Sequence, residues 1–436
     1  MTQLDFIVNT VTQSQNRQKL EAILASDLDF HGQNSVYASH AFHAFPAKFP
    51  PQIPAAFINA LTQKGDIVLD PMMGSGTTLL EAALLDRNPV GFDIDPLAVL
   101  IARTKLSHAN WMELDQLVFA LANRAQERVL AQPSELKDTI TARYDEHSRT
   151  FIDYWFLPLT QIELIALLIE IEGVSDPVLC DFLKLCFSAI IITKSGGVSM
   201  ARDLAHTRPH RDLTKQPRSA ITEFRKKVKQ NLAGLSKISP SQFEVSRANA
   251  KQLPLPESSI DLIVTSPPYA SNAIDYMRAN KFSLVWLGYP IDDLGELRST
   301  YVGSDSLTGI ELTAMPPLTQ RILDDLAHKD IKKSRVIHRY YSEMHQVLAE
   351  MYRVLRPDHC AVLVVGTSII RDLDVQTQNC LGEIGQLVGF DLVGIGERQL
   401  DRDKRMMPAR WNVAAKTQIE QRMHQEYVIG FYKREV

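Results

Sequence analysis

The sequence predicts an α/β fold of the doubly wound, Rossmann-like kind: a sheet with helices on both faces, interrupted by a mainly helical inserted region. Three observations carry that reading. First, residues 65–69 (Gly-Asp-Ile-Val-Leu) form a short apolar run ending at Asp70. A glycine-rich turn follows at Gly74-Ser75-Gly76, then a helical stretch over 77–85 and a second apolar run over 90–94, which together make a β-α-β unit. Second, apolar strand-like runs alternating with helical ones resume after about residue 245. Third, amphipathic helical stretches such as 111–130 and 161–172 dominate the interval from about 97 to 245.

In chain order, residues 1–35 read as a helical lead-in. Residues 40–51 (His-Ala-Phe-His-Ala-Phe-Pro-Ala-Lys-Phe-Pro-Pro) are aromatic and proline-punctuated, unsuited to a regular helix, and a helix is expected over 54–61. After the β-α-β unit and the helical block, residues 260–264 read as a strand running into Thr265. An irregular arm is expected over about 270–335, with Phe282, Leu284 and Trp286 as core residues. Met344, Leu348, Met351 and Leu355 stand at helical spacing, so a helix is predicted over 341–355. Strands are predicted over 361–365, 391–395 and 426–432, with a helix over 380–388. Three parts result: 1–100 with the first turn, 101–245 as the helical insertion, and 246–436 with the arm.

The 436 residues, 45% hydrophobic and 22% charged, suit an ordinary globular protein with a large core. No apolar run reaches a membrane-spanning length, and the polar N-terminus lacks a signal-peptide pattern, so a cytoplasmic location is the default. The cysteines Cys180, Cys186, Cys360 and Cys380 form no C-x-x-C pair, so neither a metal site nor a disulfide framework is expected. The net charge of −4 means that any nucleic-acid surface is local. Residues 202–229 supply a candidate, with Arg208, Arg211, Lys226, Lys227 and Lys229 among nine basic side chains against three acidic ones. The competing reading is a solvated helix face.

Two motifs carry chemistry. In Asp70-Pro71-Met72-Met73-Gly74-Ser75-Gly76-Thr77, the glycines let backbone approach a nucleotide-like ligand. Asp93, seventeen residues after Gly76, ends the next strand where an acid takes both ribose hydroxyls. Leu79 replaces the third glycine that a dinucleotide site wants. A purely structural, helix-capping turn is the alternative. In Thr265-Ser266-Pro267-Pro268-Tyr269, the prolines stiffen the backbone and remove two donors, leaving carbonyls as acceptors for an amino group. Ser266 and the Pro267 carbonyl would hold the two N–H bonds, and Tyr269 offers a ring for base stacking. Taken alone, the corner also reads as a proline-rich loop.

With these motifs in this order, the chain resembles the S-adenosylmethionine-dependent DNA amino-methyltransferases, which act on cytosine N4 or adenine N6. Asp70-Pro71-x-x-Gly74-Ser75-Gly76-Thr77 resembles their cofactor motif and Ser266-Pro267-Pro268-Tyr269 their catalytic one, while Phe45-Pro46-Ala47-Lys48-Phe49 resembles their N-terminal motif. The resemblance covers roughly 36–100 and 245–435. It implies a class I methyltransferase sheet and S-adenosylmethionine as cofactor. It also implies cofactor contacts at Asp70, Pro71, Gly74, Gly76, Thr77 and Thr265, with Asp93 on the ribose and Phe45 and Lys48 at the amino-acid end. Asn249, sixteen residues before Thr265, stands where the family often has an aspartate for the adenine amine, and Met72 where it usually has phenylalanine.

The resemblance further implies double-stranded DNA as partner, a base extruded from the stack, no metal, and a prokaryotic, nucleoid-associated setting with a cognate restriction endonuclease as a candidate partner. No cysteine follows a proline, which excludes the nucleophile of ring-carbon cytosine methylation. The serine before Pro-Pro-Tyr leans, by the resemblance, toward cytosine N4. Adenine N6, a guanine amine in RNA and a catalytically dead binding protein are the alternatives. Too few residues follow Met406-Met407-Pro408 for a separate recognition domain, so target recognition is expected in the helical block or the arm.

Overall fold

The computed structural model describes residues 14–45, 48, 50–109, 111–193, 197–202, 204, 209–235, 242–270, 275–304, 311–366, 368–400 and 425–435. The chain opens with α1 (Gln15–Leu24), a 3-10 turn (Ala38–Ala41) and α2 (Gln52–Leu61). β1 (Ile67–Asp70), α3 (Thr77–Leu84), β2 (Asn88–Asp93) and α4 (Pro96–Leu106) follow as the expected β-α-β unit and its continuation. The helical block comprises α5 (Leu114–Ala131), α6 (Pro133–Arg143), α7 (Glu146–Trp155), α8 (Pro158–Glu172) and α9 (Pro177–Ile191). A short hairpin, β3 (Ala201–Arg202) with β4 (His210–Arg211), leads to α10 (Ala220–Ala233).

The sheet resumes with β5 (Glu244–Arg247) and β6 (Ile260–Thr265). Helices α11 (Tyr276–Leu284), α12 (Ile291–Ser299), α13 (Pro317–Lys329) and α14 (Ile331–Val354) precede β7 (Leu355–Gly366). A second small hairpin, β8 (Ile369–Ile370) with β9 (Leu373–Asp374), comes before α15 (Thr377–Leu387), β10 (Asp391–Gln399) and β11 (Gln425–Lys433).

Seven strands form one sheet in the order β10-β11-β7-β6-β1-β2-β5. β1 pairs in parallel with β2 and β6, β2 with β5, and β6 with β7. β11 runs antiparallel between β7 and β10. The order reverses at β1/β6, so their carboxyl ends open a crevice at the topological switch point.

The buried central strands read as continuous apolar runs because both faces are covered. Along β7, Cys360, Val362 and Val364 pack with α1 and α2, and Ala361, Leu363 and Val365 pack with α14 and α15. Successive side chains of a strand point to opposite faces, so one run serves two cores.

The expected irregular arm is instead largely helical. Pro290 precedes α12, and Pro317 sits in the first turn of α13 with Pro316 at its cap; proline at those positions starts helices as readily as it ends them. The helix predicted over 341–355 begins ten residues earlier, where Asp330 accepts from the Lys332 and Lys333 amides, and ends one residue sooner as Leu355 opens β7. The edge strand β5, which straddles the expected insertion boundary at 245, has no apolar signature of its own.

The helical block shares one core with the arm helices α11 and α12, whereas α13 packs with α14 and α15. Phe282, Leu284 and Trp286 are fully buried there, as expected. Trp286 meets Phe156 edge-on at 5.4 Å, and the Tyr144 hydroxyl donates to the Trp286 carbonyl at 2.9 Å. Among the described residues no single helix is long and apolar enough to cross a membrane.

Candidate active site

β1 ends at Asp70 and the chain must turn at once into α3. Gly74 and Gly76 make that turn with φ of +48° and +73°, values that residues with a side chain rarely adopt. The turn is pinned by the Met73 amide donating to Phe92 O at 3.0 Å and by the buried Lys105 ammonium donating to Ser75 O at 2.5 Å. A Cβ on Gly74 would come within 3.2 Å of the Phe45 ring, whereas one on Gly76 would meet Ala102 Cβ of α4 at 2.8 Å. Gly74 therefore keeps the floor of a slot open beneath Phe45, and Gly76 permits close helix packing.

The slot belongs to a concave cleft that encloses about 910 Å³, its open mouth included. Such clefts, mostly apolar with a few convergent polar groups, are where small ligands bind. Of the sequence-predicted positions, Phe45, Lys48, Asp70, Pro71, Gly74, Thr77, Asp93, Asn249, Ser266 and Pro268 line it. Thr265, Pro267, Tyr269 and Gly76 lie outside the lining. Pro46, Ala47, Phe49, Arg208 and the Met406-Met407-Pro408 segment lie outside the described residues.

Two carboxylates dominate the electrostatics. Asp93 Oδ2 accepts from the Gly74 amide and Oδ1 from the Asp95 amide, each at 2.9 Å. Burial, with the Asp95 charge next to it, pushes the Asp93 carboxyl up to about 7. Burial likewise lifts Asp70 to about 6, although Thr265 donates to it. Each Asp93 oxygen accepts one such bond and has further lone-pair capacity, and Asp93 lines the cleft, so a neighbouring pair of hydroxyl donors suits the carboxylate. Lys48 donates to His40 O at 2.8 Å and His43 O at 2.6 Å, leaving one N–H bond of its three. Burial and the Lys227 charge bring it down to about 8. Asn249 Oδ1 accepts from the Lys251 amide and retains a second lone pair. The chemistry of this donor set fits S-adenosylmethionine, which offers a pair of hydroxyls to an acid, a carboxylate to an amine and an amino group to an amide oxygen.

The segment that follows Ser-Pro-Pro-Tyr in sequence offers Tyr276 as a pocket wall, and Tyr276 lines the cleft, stacked on Phe45 at 5.2 Å. Sequence reasoning missed the rest of the roof, formed by Thr300, Tyr301 and Val302. Buried Asp95 accepts from the Tyr301 hydroxyl at 2.9 Å and from Asn280 at 2.7 Å while capping α4 through the Leu97 amide. Its position two residues after Asp93, before Pro96 of a helix, was an N-cap signal in the sequence. Nothing local announced its partners in the arm.

On the catalytic motif, the Ser266 hydroxyl donates to Val364 O at 3.1 Å, and the Tyr269 hydroxyl donates to Glu426 at 2.8 Å. The basic candidates scatter. Arg211 lies over the Tyr154 ring at 4.6 Å. Lys226 pairs with Glu223 at 2.9 Å, Lys229 is exposed, and Lys227 is half-buried beside Gln230.

A doubly wound sheet with a nucleoside cleft at its switch point and a Ser-Pro-Pro-Tyr corner on its edge defines a class I methyltransferase. Residues 9–104 and 260–406, more than half of the chain, match the family described as DNA methylase, of N6/N4 type. The chain belongs to that DNA amino-methyltransferase family, and S-adenosylmethionine is its cofactor. It is 25% identical over 389 residues to the type II methyltransferase M.MvaI of Kocuria varians, covering 82% of this chain and 83% of that one. It is 35% identical over 109 residues to the type II methyltransferase M.MjaII of Methanocaldococcus jannaschii, covering 25% and 20%. Against the type II methyltransferase M.BsoBI of Geobacillus stearothermophilus it is 25% identical over 255 residues, covering 54% and 50%.

Proposed function

We propose that the chain methylates the exocyclic N4 amine of cytosine in double-stranded DNA, with the base turned out of the stack into the mouth of the cleft. The observation that carries this reading is the state of Ser266. Its hydroxyl donates to Val364 O and Ser266 lines the cleft, so the lone pairs of Oγ are what it offers an amine. Ser266 Oγ and the Pro267 carbonyl would accept the two N–H bonds of the amine, drawing its lone pair out of conjugation with the ring. Pro268 walls the same corner. Tyr269 presents a ring against which the base stacks, worth about 1–3 kcal/mol.

Bound S-adenosylmethionine supplies an electrophilic methyl group on a sulfonium sulfur. The chain's own work is orientation: Asp93 holds the ribose, Phe45 and Lys48 the amino-acid end, and Asn249 the adenine amine, so that nitrogen and methyl meet in line. After transfer the amine sheds one proton, and the neutral Ser266 hydroxyl leaves solvent at the cleft mouth to take it. Neither a metal nor a covalent enzyme intermediate has a role in this scheme.

DNA recognition is assigned to the helical block 101–245 together with the arm helices that share its core. The exposed hairpin at Arg211, with Arg208, and the α10 face at Lys226 and Lys229 contact phosphates. Lys227, half-buried beside the Phe45 loop, serves that loop instead. By kinship with the type II methyltransferases named above, a restriction endonuclease with the same target is the expected companion.

Mass spectrometry of nucleosides from DNA treated with the enzyme tests the choice of amine. N4-methylcytosine is expected; N6-methyladenine without N4-methylcytosine overturns it.

A further inference from the structure

Tyr269 stands at one end of a row of residues that crosses the sheet at a single level. Gly366 closes β7, and its register partner on β11 is Glu426; the register partner of Glu426 on β10 is Arg398. The Tyr269 ring occupies the place a side chain at position 366 would take, since a Cβ there would lie 2.6 Å from Tyr269 Cε2. From that seat the Tyr269 hydroxyl reaches Glu426 Oε1 at 2.8 Å. Glu426 Oε2 accepts from Arg398 Nη1 at 2.6 Å, and Arg398 Nε donates to Leu28 O at 3.2 Å. Glu426 and Arg398 are both buried.

A buried ion pair is a poor device for stability alone, because desolvation offsets most of its attraction. Its place here has another consequence. A tyrosine ring turns about two side-chain torsions, and one contact cannot hold its plane. Gly366 supplies a flat seat under one edge, and a charged acceptor, which binds a hydroxyl more strongly than a neutral one, supplies a tether at the far end. Arg398 in turn keeps the Glu426 carboxylate in register with the ring.

We propose that Gly366 and Glu426 are positioning residues that fix the plane of Tyr269 for stacking on the extruded base, with Arg398 anchoring Glu426. The proposal rests on the reading of Tyr269 as the stacking residue. It gives the edge strand β10 and its neighbour β11 a part in catalysis although neither lines the cleft.

Transfer of tritiated methyl groups from S-adenosylmethionine to unmethylated plasmid DNA tests it, with kcat and both KM values measured for Tyr269→Phe, Gly366→Ala, their double variant and Tyr269→Ala. Tyr269→Phe keeps the ring and loses the tether, and Gly366→Ala displaces the ring. Each is expected to lower kcat about tenfold, the size of one hydrogen bond to a charged acceptor, with both KM values unchanged. The double variant is expected to be little worse than either single one, because both act on one ring. If Tyr269→Phe and Gly366→Ala keep at least half of the wild-type kcat while Tyr269→Ala loses it, the positioning role is wrong and stacking stands. Full activity in Tyr269→Ala overturns stacking and positioning together.

Discussion

The Thr265 hydroxyl donates to Asp70 Oδ1 across 2.7 Å, joining two residues 195 positions apart in the chain. Asp70 ends the strand that leads into the cofactor turn, and Thr265 ends the neighbouring strand that leads into Ser-Pro-Pro-Tyr. Thr78, one residue into α3, adds a second stitch by donating to Val264 O at 3.1 Å. The turn that holds the methyl donor and the corner that holds the acceptor are thereby set relative to one another. Thr265→Val keeps the shape of the side chain and removes the donor. It is expected to lower kcat about tenfold and to weaken S-adenosylmethionine binding as well, since Asp70 then loses its strongest partner. Isothermal titration beside steady-state rates checks this, and unchanged values for both would sink it.

Asp70 and Asp93 give the apo-protein a pH dependence of definite sign. Both are raised above the ordinary carboxylate value, to about 6 and about 7. The folded state therefore binds their protons more tightly than the unfolded chain does. Stability from these groups is present below about pH 4, declines as pH rises toward 7, and is lost above it. Asp93→Asn removes one of the two. The melting temperature of the variant minus that of wild type is expected to rise between pH 5 and pH 8, while S-adenosylmethionine affinity falls more than tenfold. Melting curves with and without cofactor check both; a difference that stays flat with pH would contradict the assignment.

The roof has its own test. Tyr301 lines the cleft with its hydroxyl held by Asp95. Tyr301→Phe is expected to weaken S-adenosylmethionine binding about fivefold, as for one lost hydrogen bond, without changing DNA affinity. Equal losses for cofactor and DNA would point to general loosening of the arm.

Gly76 should not tolerate a side chain. Its φ of +73° and the 2.8 Å approach to Ala102 Cβ both oppose one. Gly76→Ala is expected to destabilise the protein by about 1–3 kcal/mol, read from urea unfolding, whether or not cofactor is present.

The lysines of α10 separate by exposure. The Lys226→Ala/Lys229→Ala variant is expected to flatten the dependence of log affinity for DNA on log salt by up to about 2 units, near 0.9 for each phosphate left without its lysine. Lys227→Ala is expected to leave that slope unchanged. A larger change of slope from Lys227 than from the pair would reverse the assignment.

Much of this protein is written locally. Gly74 and Gly76 are legible because only glycine turns so sharply into α3, and Asp93 because it closes the next strand. Ser266 through Tyr269 are legible because two prolines after an apolar strand permit few backbone paths. These features depend on neighbours a few residues away, and the sequence determined them, together with the α/β class and the helical interruption.

Other features were decided only by the tertiary structure. Asp95 finds Tyr301 across 206 positions, and Tyr269 finds Glu426 across 157. Which residue faces Gly366 depends on the register of β11 against β7, and a slip of one position would turn Glu426 to the other face. The arm looked irregular because its prolines open helices rather than end them; α12 is held by a core built with the distant helical block, and α13 by the core of α14 and α15. Lys227 looked like its neighbours in sequence, yet burial beside the Phe45 loop set it apart from Lys226 and Lys229. Sheet register and shared burial are properties of the assembled chain, and no stretch of sequence carries them alone.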